Sequence, residues 1–305
     1  MIGPKVCAGG IPVEAVEYLK LPDELLEFKF KEATLSVPKA ASEIRSNDYF
    51  VYTIDRKSFG QWQLEKLKKT SAAVRTSAKV TRIGENYVIV NDSKKIEFKY
   101  LVGADGSLSA VRRHIKIKVK DQLAAIQYIV PGDKYKKFEI YFDTKLFGLG
   151  YAWIFPHQGY ASIGCGCDPK SFPSNKLMEG FKKWLAANNI DVSGGKYEAF
   201  PINYDYQGYR FGNIFLVGDA AGLASCLTGG GIYYAIISGE EAAREIIDKN
   251  YVSAKMKEIV QKKKKQGQVF NFLKKSGSLL GLEFKLLVFI LRNNLLNKFV
   301  SYILK

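Results

Sequence analysis

Two segments limit what this chain can fold into more than any other feature. Each carries an apolar run into glycine and aspartate. The first is Leu101-Val102-Gly103-Ala104-Asp105-Gly106-Ser107, followed by Ser109-Ala110-Val111-Arg112-Arg113. The second is Phe215-Leu216-Val217-Gly218-Asp219-Ala220-Ala221-Gly222, followed by Thr228-Gly229-Gly230-Gly231-Ile232 at the start of a helical pattern. A carboxylate at the end of a buried strand can accept hydrogen bonds from a ligand hydroxyl. Glycines let backbone approach a ligand, and free N–H groups at a helix start favour an anion. Asp-Gly alone also reads as an ordinary turn. The glycine cluster at a helix start is the less common of the two signals.

Around these segments strands and helices interleave. A short helix over 12–20 is opened by Pro12, and extended stretches follow at Phe28–Val37 and Tyr49–Ile54. Asp55 suits the N-cap of a helix to about Lys69, with Phe59, Trp62, Leu64 and Leu67 as its buried positions. Lys79–Ile83, Tyr87–Val90 and Lys95–Phe98 alternate as short strands, and Tyr100–Ala104 reads as a buried one. Residues 122–166 are mostly strand, Leu177–Asn188 helical, Asn213–Val217 a strand, and Ile232–Ile247 a helix. The tail from Ser253 is helical, with Lys262–Lys265 on a solvated turn and Leu279–Leu304 rich in Leu, Ile and Phe. The expectation is an α/β (α+β) fold. A Rossmann-like parallel sheet would be built from 1–120 and 206–250, with an antiparallel sheet inserted at 121–205 and a helical C-terminal region at 251–305.

Composition excludes several classes. A hydrophobic fraction of 47% in 305 residues can bury a substantial core, which rules out disorder and fibrous repeats. The four cysteines are too few for a disulfide scaffold, and two histidines exclude a multi-histidine metal site, so no metal is expected. The start lacks a basic stretch followed by an apolar one, so no signal peptide is expected. The run Leu286 to Leu291 is far short of the about 20 residues a membrane span needs. The expected location is cytoplasmic, or peripheral at a membrane. Lys+Arg 46 against Asp+Glu 30 gives +16. No nucleic-acid module accompanies that charge, so no nucleic-acid partner is expected. An anionic membrane surface or a plain solvated basic surface remains open.

In their order, the two glycine-aspartate segments resemble the DG and GD fingerprints of flavoprotein oxidoreductases with the p-hydroxybenzoate hydroxylase type of fold. Two further segments narrow the resemblance to the geranylgeranyl reductase family. Lys5-Val6-Cys7-Ala8-Gly9-Gly10 is similar to its cysteine-glycine motif beside the flavin ring. Tyr151-Ala152-Trp153-Ile154-Phe155-Pro156, with Gly164 eight positions after the proline, matches its YxWxFPxxxxxxxG signature. Thr53-Ile54-Asp55-Arg56 ahead of a helix fits its arginine. The resemblance runs from residue 4 to about 250.

The resemblance implies an FAD-dependent reductase of carbon–carbon double bonds in prenyl (geranylgeranyl) chains of isoprenoid lipids. Its substrate would be a prenylated lipid or prenyl diphosphate. Its electron donor, NAD(P)H or a ferredoxin-like protein, is not specified by the sequence. Cys7, Ala8 and Gly10 would line the flavin, with Cys7 also near the proton path. Arg56 would contact the phosphates and Val80 would offer backbone on the adenine side. Asp219 would bind the ribityl or ribose region, with Asp105 nearby in a structural role. Gly231 and Ile232 would present N–H groups to the pyrimidine edge, where negative charge develops on reduction. Tyr151, Trp153, Phe155 and Pro156 would form the substrate site.

Bland readings stand beside these. Cys7 also reads as a buried apolar residue. Tyr151, Trp153 and Phe155 share one strand face, which is also how a sheet covers a core. Cys165 and Cys167 share a face and read as structural burial, and His114 and His157 fall at no motif position with a role. A flavin monooxygenase of the same fold, or a cofactor-poor lipid-binding remnant, is the alternative function.

Two departures from the family are visible. Members open with a strand, GxGxxG, a helix and a second strand, which hold the ADP half of FAD. Only six residues precede Cys7 here. The expectation is that Met1 is an internal methionine or a mis-called start, and that loss of the unit exposes a hydrophobic sheet edge. Cys226 stands where the family more often has proline.

Overall fold

The computed structural model describes Gly3 and residues 5–292. The chain divides into two units, one built from 60–122 and 202–267, the other from 5–59, 123–201 and 268 onward. Residues 5–59 group with 123–201 in the second of these units.

That second unit carries a seven-stranded sheet. Its order is Lys196–Asn203, Gln122–Pro131, Tyr160–Cys167, Tyr151–His157, Glu139–Tyr141, Glu32–Val37, Ala40–Arg45. Glu139–Tyr141 runs parallel to Glu32–Val37, with Ile140 opposite Leu35. The helix Ser174–Ala187 places Leu177, Phe181, Trp184 and Leu185 on one face, at the spacing of an amphipathic helix. That face closes a core with Phe147, Ile154, Ile163 and Cys165. Burial of a side chain like Phe181 is worth about 2–3 kcal/mol relative to leaving it exposed. A smaller sheet joins Gly10–Pro12, Val51–Thr53 and Phe28–Phe30, all antiparallel. The extended stretch at 28–37 therefore belongs to two sheets. The chain breaks at Lys31 and sends Glu32–Val37 to the larger one. On the helix Leu280–Arg292, Leu280, Phe284 and Val288 pack over Leu35, Val37 and Ile44.

In the other unit, Ile214–Leu216 runs parallel to Leu101–Gly103 and antiparallel to Arg210–Phe211. Leu101–Gly103 is the edge of this three-stranded sheet, and Val102 is 40% exposed rather than buried as the apolar run suggested. Val80–Ile83, Tyr87–Val90 and Lys94–Glu97 form a separate antiparallel meander. The helix Ile232–Ile247 buries Tyr234, Ile237, Ser238, Glu241, Ala242 and Glu245. The mixture of parallel and antiparallel sheets with C-terminal helices is the α/β architecture expected.

Several local expectations need correction. Pro12 caps the helix Val13–Leu19 from outside rather than starting it. Asp55 does cap the helix Arg56–Lys68, accepting from the Ser58 N–H at 2.7 Å, but Leu67 is exposed. The strands Ala40–Arg45 and Lys196–Asn203 carry few large apolar residues and gave no sequence signal. Lys262–Lys265 lie inside the helix Ala254–Lys275, not on a turn. Residues 293–305 of the apolar tail lie outside the described residues. Among the described residues no helix is long and apolar enough to cross a membrane.

Candidate functional site

In the sheet-rich unit the cysteine-glycine segment is fixed from three sides. Gly10 pairs with Thr53, and the Ile54 N–H donates to the Gly9 carbonyl at 3.0 Å. The Gly9 N–H donates to Cys7 Sγ at 3.4 Å. Gly9 has φ +79°, and a Cβ there would sit 2.3 Å from His157 Cε1, so only glycine fits. A Cβ on Gly10 would meet the Phe155 ring at 3.2 Å.

The hairpin Tyr151–Cys167 supplies the aromatic face. Tyr151, Trp153 and Phe155 form a ladder with ring centroids 6.0 and 6.2 Å apart, as the alternation predicts. Phe138 stacks on Phe155 at 3.9 Å. Trp153 lies directly opposite Gly164 in the register, and a Cβ on Gly164 would lie 2.4 Å from Trp153 Cζ2. The glycine of the YxWxFPxxxxxxxG pattern is therefore the seat of the indole. Trp153 Nε1 donates to Ser162 Oγ at 3.0 Å, and Ser162 donates to Gln127 Oε1 at 2.9 Å. Gln127 Nε2 reaches the Cys7 carbonyl at 3.3 Å and Glu198 at 2.9 Å. One polar chain thus ties the tryptophan to the cysteine segment. Pro156 is buried in the same strand, and burial pushes the Tyr151 phenol up to about 12.

His157, unassigned from sequence, closes this arrangement. Its Nε2 lies 2.9 Å from the Ala8 carbonyl, Nδ1 contacts the Glu27 carboxylate, and the ring stacks on Tyr160 at 4.3 Å. A carbonyl only accepts, so Nε2 is the donor to Ala8. The histidine holds Ala8 and Gly9 in place. Sequence reasoning missed it because Glu27 is 130 residues away. Arg56 opens its helix with the guanidinium 5.6 Å from the Phe59 ring centroid. Its Nε is buried and has no hydrogen-bond partner among the described residues. Cys165 and Cys167 are buried free thiols. Burial, and then the neighbouring acidic group, raises both, Cys167 to about 12, so neither is a nucleophile near neutral pH.

In the other unit the two aspartates differ. Asp105 Oδ2 accepts from the Ala110 N–H at 2.6 Å and the Val111 N–H at 3.3 Å, which starts the helix Ala110–His114. Asp219 Oδ1 lies 2.8 Å from where a Cβ on Gly231 would be, so a side chain there would displace the carboxylate. Ser107 Oγ lies 3.5 Å from Asp219 Oδ2, and it accepts from the Asn203 N–H at 3.1 Å. Arg112, buried, donates to Ala220 O at 3.3 Å and to Asp205 Oδ2 at 3.1 Å. It joins the two segments, and burial lowers its pKa while Asp205 opposes that shift. Ile232 is the first residue of its helix, and Val80 is exposed at the edge of its meander, opposite Val90.

The fold is similar to that of a Pseudomonas aeruginosa structure described as a probable FAD-dependent monooxygenase (TM-score 0.61, 17% identity, 91% of this chain and 86% of that one). Nearer is a geranylgeranyl bacteriochlorophyll reductase-like protein of Thermoplasma acidophilum, with TM-score 0.75 and 21% identity over 95% of this chain and 83% of that one. By sequence the chain is similar to an uncharacterised protein of Methanosarcina barkeri, 30% identical over 79% of this chain and 65% of the relative. It is also 29% identical to digeranylgeranylglycerophospholipid reductase 1 of Methanopyrus kandleri, over 82% of this chain and 73% of that one. The chain is thus similar in sequence to proteins named digeranylgeranylglycerophospholipid reductase, and it spans about two thirds of the length of the relatives it matches. No family model matches it.

Proposed function

We propose that this chain acts as an FAD-dependent reductase of carbon–carbon double bonds of prenyl chains in isoprenoid lipids. The observation that carries this reading is the aromatic ladder Tyr151–Trp153–Phe155, seated on Gly164 and abutting Gly10 of the cysteine segment. An apolar wall beside a constrained, glycine-opened backbone suits a long hydrocarbon lying against a flat cofactor ring. The residues fit FAD on two counts. The orphaned Arg56 Nε is a buried donor suited to a phosphate oxygen. The Gly231 helix start with Asp219 beside it offers N–H groups and a carboxylate to one ligand.

FAD, when reduced, supplies the hydride for an isolated alkene. Such an alkene has no carbonyl to polarise, so the chain's own part is to orient the prenyl tail and keep water out. Tyr151, Trp153, Phe155 and Pro156 do the first. Cys7, Ala8 and Gly10 face the ring, and the Cys7 thiol holds the proton for the second alkene carbon. Arg56, Asp219, Gly231 and Ile232 hold the cofactor, Val80 offers backbone on the adenine side, and Asp105 is structural. On this reading 60–122 and 202–267 form the cofactor unit, and the seven-stranded sheet belongs to the substrate.

A prenylated lipid or prenyl diphosphate is the substrate, and NAD(P)H or a ferredoxin-like protein the electron source. Exposed Leu282, Leu286 and Phe289 beside Lys285 suit docking on an anionic membrane. Incubation of the protein with FAD, a reductant and prenylated lipid tests the function. A gain of two mass units per double bond is expected. Peroxide release without mass gain points to a monooxygenase, and lipid binding with no flavin retained points to a cofactor-poor binding protein.

A further inference from the structure

A run of four lysines, Lys262-Lys263-Lys264-Lys265, reads as solvated, yet one of them faces inward. Lys264 and Lys265 are exposed, and Lys262 lies 5.7 Å from the Tyr234 ring centroid. Lys263 Nζ instead donates to the Ala224 carbonyl at 2.7 Å. Ala224 sits in the loop that leads from the second glycine-aspartate segment to the helix at Ile232. Its Cβ lies 3.7 Å from the position a Cβ on Gly231 would take, and Asp219 Oδ1 lies 2.8 Å from that same point. The ammonium is thereby held on the loop whose Ala224 packs against the Gly231 helix start.

The titratable groups facing Lys263 are Cys226, Asp205 and Asp219. Asp205 is already paired with Arg112 at 3.1 Å. Among the described residues no carboxylate forms an ion pair with Lys263, and one neutral carbonyl accepts from it. Burial lowers its pKa to about 8, against the pull of those three groups. A cation held without a counter-ion costs stability. A site keeps such a charge at no loss when an anion completes it.

We propose that Lys263 is a cofactor-tuning residue whose ammonium, held on the Ala224 carbonyl beside Gly231 and Asp219, favours the reduced, anionic flavin over the oxidised one. The inference rests on the FAD reading above. Two electrons from an external reductant and one proton from water leave the flavin ring one negative charge richer, and that added charge is what Lys263 meets. A neutral residue at 263 removes the preference, and so does deprotonation of the ammonium.

The test measures FAD affinity in the oxidised form and, under dithionite, in the reduced form. Wild type, Lys263→Gln and Lys263→Arg are compared, with circular dichroism as the check on folding. Lys263→Gln should shift the ratio of the two affinities about tenfold against reduced FAD, one logarithmic unit being 1.36 kcal/mol. Lys263→Arg should restore the ratio. In the wild type the same preference should fall as pH rises from 7 to 9.5, an arm that needs no variant to fold. A ratio unchanged by both the substitution and pH, with FAD still bound, overturns the role of Lys263 and leaves the FAD reading standing. Wild type that retains FAD in neither state overturns that reading and this one with it.

Discussion

Asp105 and Asp219 end two apolar strands that lie side by side, Val102 opposite Phe215 in parallel register. In sequence they look like two copies of one device. Around Asp105 the carboxylate is engaged locally, because the N–H groups of Ala110 and Val111, 5 and 6 residues on, turn back onto it. Around Asp219 the following chain forms a separate loop, closed by Ser225 N–H to Gly230 O at 2.8 Å, and the carboxylate meets a glycine at a helix start. The difference lies in where the neighbouring N–H groups point. An aspartate after a strand serves the start of the next helix only where the following backbone N–H groups turn back onto it.

The comparison can be broken most severely at Arg112, which ties the two segments together. Arg112→Met leaves Asp205 half-paired in a buried setting. The expected loss is about 3–5 kcal/mol in urea unfolding, since removing one partner of a buried pair leaves a charge uncompensated. A loss below about 1 kcal/mol would mean that the two segments hold their places independently. Next in size is Asp105→Ala, which leaves the Ala110 and Val111 N–H groups without their carboxylate acceptor and should cost about 1–2 kcal/mol. Its FAD affinity, titrated on the folded fraction, should stay at the wild-type value. Asp219→Asn reverses the pattern. Stability should move by about 1 kcal/mol or less, because the amide oxygen can still accept from Ser107. FAD affinity should fall about tenfold or more, the worth of a hydrogen bond to a charged group. Equal behaviour of the two variants in both measurements would erase the distinction drawn between them.

What was legible in the sequence was local and periodic. The alternation Tyr151, Trp153, Phe155 requires a shared face once the segment is a strand, and the rings do form one ladder. The helix at Ile232–Ile247 begins and ends where its pattern does. The illegible parts depend on partners far along the chain. His157 has meaning only with Glu27 and the Ala8 carbonyl, 130 and 149 residues away, and Arg112 only with Asp205, 93 residues on. Four consecutive lysines look uniformly solvated, but a helix turns about 100° per residue, so a run of four must sweep its whole circumference. The stretch at 28–37 reads as one strand because nothing local marks Lys31 as the point where it leaves one sheet for another.

The smallest effect sharpens the same lesson on cysteines. Cys7 is half-buried at a site segment, whereas Cys165 and Cys167 lie in the core of the seven-stranded sheet. Raised pKa values keep the latter two as thiols at pH 8.5, where the reactive thiolate is needed for alkylation. Burial raises Cys226 as well, with Lys263 opposing that shift. Brief iodoacetamide treatment of the native protein, followed by peptide mass analysis, should therefore label Cys7 first, Cys226 more slowly, and the other two only after unfolding. Raising the pH to 10 should speed Cys226 and leave Cys165 and Cys167 nearly unlabelled, because the Cys167 value stands near 12 and access is closed as well. Labelling of Cys165 at a rate matching Cys7 would show that the sheet core opens readily. The aromatic ladder built on that sheet would then lack a rigid support.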